Sequence, residues 1–223
     1  ESLRISSELG LAQLIAENYN TLGDILFTRG QLDEAEAYYQ RSREHASRLS
    51  TVNEEMGAQK RLAKLYIRKG RHDDARVAIE EASRLARQVG SKYEQAQTEE
   101  IFGELKSAQG SRAEAVDHFE KGAGLYATLS KHRMAGACLA KAGIALAGTG
   151  NPLDAKRYLD RAQDLIKSQI GHTKAGAGAG QIQADAASTT QIVASATNSN
   201  GTIVPVSTNA AVSSPVIDAG IQL

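Results

Sequence analysis

An all-α solenoid of antiparallel helix pairs is the fold class this chain predicts, and three observations carry it. Gly30, Gly70, Gly110 and Gly150 stand forty residues apart. Small residues keep the same interval at Gly23, Ala63, Gly103 and Gly143, at Ala35, Ala75, Ala115 and Ala155, and at Ser42, Ala82, Gly122 and Ala162. Large apolar residues keep it at Tyr39, Ile79, Phe119 and Leu159. A fixed period of this length with a small/large pattern belongs to stacked helical units, none of which buries its apolar face alone. The architecture expected is a right-handed superhelix followed by a low-complexity C-terminal tail.

The units run in order along the chain. Residues 1–10 read as the end of a preceding unit's second helix, because Ser2 falls in register with Ser42 and Ile5 with Leu85, Leu125 and Leu165. The chain is therefore expected to open in mid-unit, with at least one unit upstream. Residues 11–50, 51–90, 91–130 and 131–170 are then four whole units. In the first, Tyr19, Leu22, Gly23, Leu26 and Phe27 recur at three- and four-residue spacing and give one apolar face between Ala16 and Arg29. Gly30 ends that helix, because glycine enters the left-handed region cheaply. A second helix begins near Leu32 with Asp33 and Glu34 in its first turn, where the helix dipole favours anions. The later units repeat the scheme, with Asp73, Asp74 and Glu114 in first turns and Arg68 and Lys69 in a last turn. Pro152 opens the fourth unit's second helix, where its missing N–H is not needed. The small residues at 23, 63, 103 and 143 and at 35, 75, 115 and 155 are expected where the two helices of a unit cross. Tyr39, Ile79, Phe119 and Leu159 are expected to fill the space between units.

Composition narrows the function. The 223 residues carry 26 basic and 26 acidic side chains, which argues against the broad basic surface that holds nucleic acid. Cys138 is the one cysteine, and among Ala137, Leu139 and Ala140 it is expected as a buried apolar thiol. No run approaches the ~20 apolar residues of a membrane span, and no charged-then-apolar leader marks the chain for secretion, so a cytoplasmic location is the expectation. Composition changes after Gly171. Residues 171–223 are expected to form a Gly/Ala/Ser/Thr-rich, mostly disordered tail, with β-prone runs at 191–195 and 202–207.

Tyr19, Leu22 and Gly23, then Gly30, then Glu34 and Ala35, then Tyr38 and Tyr39 resemble the tetratricopeptide repeat over residues 11–170. The usual repeat there is ~34 residues, so a forty-residue form must lengthen its helices or its links. That long form is similar to the one in spindle-orientation adaptors and in bacterial regulators with a helical sensor array. The resemblance implies a concave groove, lined by the first helix of each pair, that takes a peptide or helical segment of another protein.

No catalytic residue, cofactor or metal site is expected. His45, His72, His118, His132 and His172 keep no metal-ligand spacing, and no phosphate-binding, nucleophile-elbow or zinc-protease motif is present. The adjacent carboxylates at 54–55, 80–81 and 99–100 diverge on a helix and do not form acid/base couples. Carried onto this sequence, the family's groove positions give Asn20, Asp24 and Phe27 in the first unit, Lys60, Lys64 and Arg68 in the second, Glu100 and Glu104 in the third, and Ile144 in the fourth. Lys60, Lys64 and Arg68 share one helix face, and Glu100 and Glu104 share another. Two readings stay open for these stripes: they neutralise each other across adjacent helices, or they read a partner's charges, the basic stripe taking an acidic segment. The clamp with which chaperone-binding members hold a terminal carboxylate falls on Asn20, Asp24, Lys64, Glu100 and Glu104. Acidic residues occupy three of those places, so that ligand is rejected. The fourth unit's inner face, Ala137, Ala140, Ile144 and Ala147, is expected to be apolar and to need a cover: a partner, the chain's own tail or a second copy. The function expected is a non-catalytic protein-interaction scaffold. The alternative is the sensor arm of a larger signalling ATPase or transcription regulator.

Overall fold

The computed structural model describes residues 2–147 and 152–173, with side chains over 13–147 and 152–167. Eight helices succeed one another: α1 (Ser2–Thr28), α2 (Leu32–Arg48), α3 (Val52–Arg68), α4 (His72–Gln88), α5 (Lys92–Ala108), α6 (Arg112–Thr128), α7 (His132–Ala147) and α8 (Pro152–Thr173). No strand occurs among the described residues. Each helix packs on the next in the chain, and the first helices of neighbouring pairs also touch, α1 on α3 and α3 on α5. This is the expected succession of stacked pairs. Pro152 opens α8 as expected. The tail from residue 174 and Gly150 lie outside the described residues.

The joints obey a shorter beat than the sequence displays. Gly30, Ser50, Gly70, Gly90, Gly110 and Ser130 all have positive φ, between 55° and 80°, so a left-handed residue recurs every twenty residues rather than every forty. At each, its N–H donates to the carbonyl three residues back at 3.0–3.1 Å, and the next N–H donates to the carbonyl five residues back at 2.9–3.1 Å. That pair of bonds satisfies two of the orphaned carbonyls at a helix C-terminus. α2 to α6 are each 17 residues long, and each of the six joints from α1 to α7 takes three. The residues beyond the usual repeat length therefore lie in the helices, and the links stay short.

Two expectations are corrected, one at the N-terminal end and one in the core. α1 runs unbroken from Ser2 to Thr28, so no turn stands at Gly10 to separate residues 1–10 from the rest of the helix. A Cβ built on Gly23 would lie 2.4 Å from Tyr39 Cε1, and one on Gly103 would lie 2.5 Å from Phe119 Cε1. The aromatic rings thus lie over the glycine of their own pair, instead of only filling space between pairs. The expected crossing of small residues does hold at Gly143, whose Cβ would stand 3.0 Å from the Ala155 carbonyl oxygen. Tyr39 also reaches the neighbouring pair, sharing one core cluster with Leu62, Leu65 and Tyr66 of α3. Ala35, Ala75, Ala115 and Ala155 are fully buried, as is the Cys138 thiol. Burial and the nearby Glu100 push that thiol's pKa up to about 12, which keeps it protonated and unreactive.

Candidate functional site

The face formed by α1, α3, α5 and α7 carries the candidate groove residues. Successive first helices are laced together there by ion pairs. From α3, Arg61 Nε lies 3.0 Å from each carboxylate oxygen of Asp24 on α1. The Tyr39 hydroxyl donates to the same Asp24 carboxylate at 2.7 Å; burial, with that carboxylate beside it, raises the phenol's pKa. Lys60 donates to Glu94 and Gln97 on α5. Burial drags the Lys60 pKa down despite the Glu94 partner. On α7, Lys141 reaches back to α5, donating to Glu100 at 2.6 Å and to Glu104. Its burial opposes the charge, but Glu104 and Glu100 outweigh that cost and raise its pKa. The Tyr126 hydroxyl donates to the second Glu100 oxygen at 3.3 Å.

One spacing recurs among these contacts. Asp24 to Arg61, Lys60 to Gln97 and Glu104 to Lys141 are all 37 residues apart. Neighbouring first helices are related by forty residues, so a side chain meets the partner one turn before its own equivalent. The basic and acidic stripes therefore do not neutralise each other. Each is held by residues outside both stripes: Glu94 and Gln97 for Lys60, and Lys141 for Glu100 and Glu104. Arg61, Glu94 and Lys141 are the functional-face residues that sequence reasoning missed. For Arg61 and Lys141 the signal was the 37-residue spacing, whereas Glu94 lies 34 residues from Lys60.

Five candidates remain after this lacing. Lys64 is exposed and has no ion pair among the described residues. One turn on, Arg68 is exposed, its guanidinium carbon 5.0 Å above the centre of the Phe27 ring and its Nη1 donating to the Phe27 carbonyl at 3.0 Å. Asn20, at the place in α1 that Lys60 takes in α3, is buried at 5 % exposure, and its Oδ1 accepts no hydrogen bond. Leaving a buried polar atom unpaired costs about 1–3 kcal/mol. Ile144 is half-buried, as are Ala137 and Ala147, while Ala140 is buried. The apolar inner face expected to lie open on the fourth unit is therefore largely covered by its own neighbours, because α6 and α8 both pack on α7.

Elsewhere the titratable groups serve packing. His118 stacks on Phe102 with ring centres 5.2 Å apart and meets Glu99 at 2.8 Å. Glu99 and Glu100 diverge to α6 and α7, as adjacent helical residues must. Among the described residues no cluster of His, Cys, Asp and Glu could hold a metal ion, and no described helix is long and apolar enough to cross a membrane. Residues 54–128 and residues 16–42 each match a family model described as tetratricopeptide repeat. No curated protein matches the chain.

Proposed function

The chain belongs to the tetratricopeptide repeat family, whose repeats mediate protein–protein interaction, and we propose that it is a non-catalytic scaffold that holds a partner segment along the face of its first helices. The observation that carries this reading is the contrast between Lys64 and its neighbours. At the same place, forty residues before and forty after, stand Asp24 and Glu104, each tied into an ion pair. Lys64 has no such tie, and its place 37 residues on is filled by Ile101, which is buried. Lys64 thus presents an ammonium without an ion pair among the described residues, with Arg68 beside it on an aromatic ring, between two ion-paired stretches.

A partner carboxylate at Lys64 and Arg68 supplies the missing charge, and an apolar partner residue finds Phe27 beside it. Exposed ion pairs add about 0–1 kcal/mol each, so this site sets register and on-rate more than total affinity. The test is fluorescence anisotropy of a labelled acidic-then-apolar peptide against the whole chain. Lys64→Glu with Arg68→Glu is expected to weaken binding at least tenfold, about 1.4 kcal/mol, with the far-UV circular dichroism unchanged. Equal affinity for both proteins overturns the reading.

A further inference from the structure

We propose that the furrow between α6 and α8 is a second binding site, for a small monocarboxylate whose apolar body is one ring or a short branched chain. The furrow holds a cavity of about 320 Å³, with Val116 of α6 and Leu146 of α7 inside it and Asp154, Arg157, Tyr158 and Arg161 of α8 around it. These three helices pack on one another in succession, α6 on α7 and α7 on α8. Ligand sites run from roughly 300 to 1,000 Å³, so the cavity admits only a small occupant.

The two earlier furrows of the same kind are filled. Between α2 and α4, Glu36 and Tyr66 take the places of Val116 and Leu146. The Arg71 guanidinium serves both, 4.4 Å from the centre of the Tyr66 ring and 2.8 Å from Glu36, and it also meets Asp74 at 2.6 Å. Between α4 and α6, Arg76 and Lys106 take those places. Lys106 closes on Glu114 at 2.6 Å, and the His118 ring stacks on Phe102. Between α6 and α8 both places are apolar. Val116 is buried and Leu146 half-buried, so neither offers a charge that would draw a side chain of α8 onto the floor.

The arginines set the ligand's charge. Arg157 and Arg161 stand one turn apart on the face of α8 that borders the cavity. At their places the other furrows have Asp117 and Lys121, and Val77 and Glu81. Both arginines are exposed and loosely held. Arg157 Nη1 lies 3.4 Å from Asp154 and Arg161 Nη1 lies 3.9 Å from Glu120, the second too far for a hydrogen bond. A guanidinium carries five N–H donors, so most of theirs remain open. Glu120 is also claimed by the Tyr158 hydroxyl at 2.6 Å. Burial, with that carboxylate beside it, pushes the Tyr158 pKa up to about 12, so the phenol keeps its proton and its hold on Glu120 at neutral pH. A ligand carboxylate between the two guanidinium groups accepts the charge-assisted hydrogen bonds that Asp154 and Glu120 leave unmade. Its apolar body covers Val116 and Leu146. A neutral ligand of the same shape gains the apolar contact alone.

The probes are 3-phenylpropanoate and its neutral amide, each titrated into the whole chain at neutral pH and followed by NMR at the methyl groups of Val116 and Leu146. The acid is expected to saturate and to bind roughly fivefold or more tightly than the amide, shifting both residues. Arg157→Gln with Arg161→Gln, at exposed positions, is expected to bring the two ligands within about twofold of each other. Val116→Met, which fills part of the cavity, is expected to weaken both. Lys64→Glu with Arg68→Glu is expected to change neither, so this site and the groove fail independently. No saturation, equal affinity of the unaltered protein for acid and amide, or saturation without shifts at Val116 and Leu146 overturns the proposal. So does an N-acetylated tripeptide ending in phenylalanine that binds more tightly than the free acid, because the ligand is then the terminus of a protein.

Discussion

At the scale of single residues, the left-handed joints separate into two kinds. Four are glycines, and two are Ser50 and Ser130, both at φ 55°. A side chain in that conformation costs roughly 1–2 kcal/mol, and glycine recovers most of it, less the chain entropy it adds to the unfolded state. Ser50→Gly and Ser130→Gly are each expected to raise stability by about 0.5–1 kcal/mol, read as a higher urea midpoint at unchanged slope. A lower midpoint at either site would show that the serine side chain contributes more than the backbone strain it causes. The serines also explain why the sequence shows a forty-residue beat where the backbone keeps twenty. Gly30, Gly70 and Gly110 announce their turns by residue type, whereas the turns at Ser50, Gly90 and Ser130 vary in residue type and share only their conformation.

At the scale of helix pairs, large and small residues trade volume across the crossing. Tyr39 and Phe119 lie over glycine, while Ile79 and Ala63, at the corresponding places, are both fully buried. Gly103→Ala puts a methyl group 2.5 Å from the Phe119 ring. It is expected to destabilise by about 1–3 kcal/mol, although alanine is the better helix former by about 1 kcal/mol. Adding Phe119→Ile, which recreates the second pair's combination, is expected to return part of that loss; the urea midpoints of the three proteins decide it. A stabilised Gly103→Ala protein would mean that the ring moves aside at no cost. The small/large register was legible in the sequence because it repeats at one interval, and so were the helix pairs and the burial of Cys138. The groove's charge pairing was not. Which base meets Asp24 or Glu104 depends on the offset of one helix against the next, a three-dimensional quantity that turns forty into 37. Charged stripes drawn helix by helix therefore chose the right acids and missed Arg61 and Lys141.

At the scale of the whole molecule, stability is a sum over neighbours, because each pair touches only the pairs beside it. The pair formed by α7 and α8 has a described neighbour on one side only, so it is expected to open before the centre does. Cys138, fully buried in α7, reports that opening. A thiol reagent at neutral pH is expected to leave the folded protein unlabelled and, in rising urea, to label Cys138 before half of the helical circular dichroism is lost. Coincident transitions would instead describe a single cooperative unit. Regular joints also govern how such a chain changes in length. Since the six described joints are closed by the same two hydrogen bonds and α2 to α6 are of one length, a forty-residue block cut within them carries two such joints. Gain or loss of a block leaves no mismatched hinge behind, so the array can be lengthened or shortened in whole steps while the register of the remaining contacts survives.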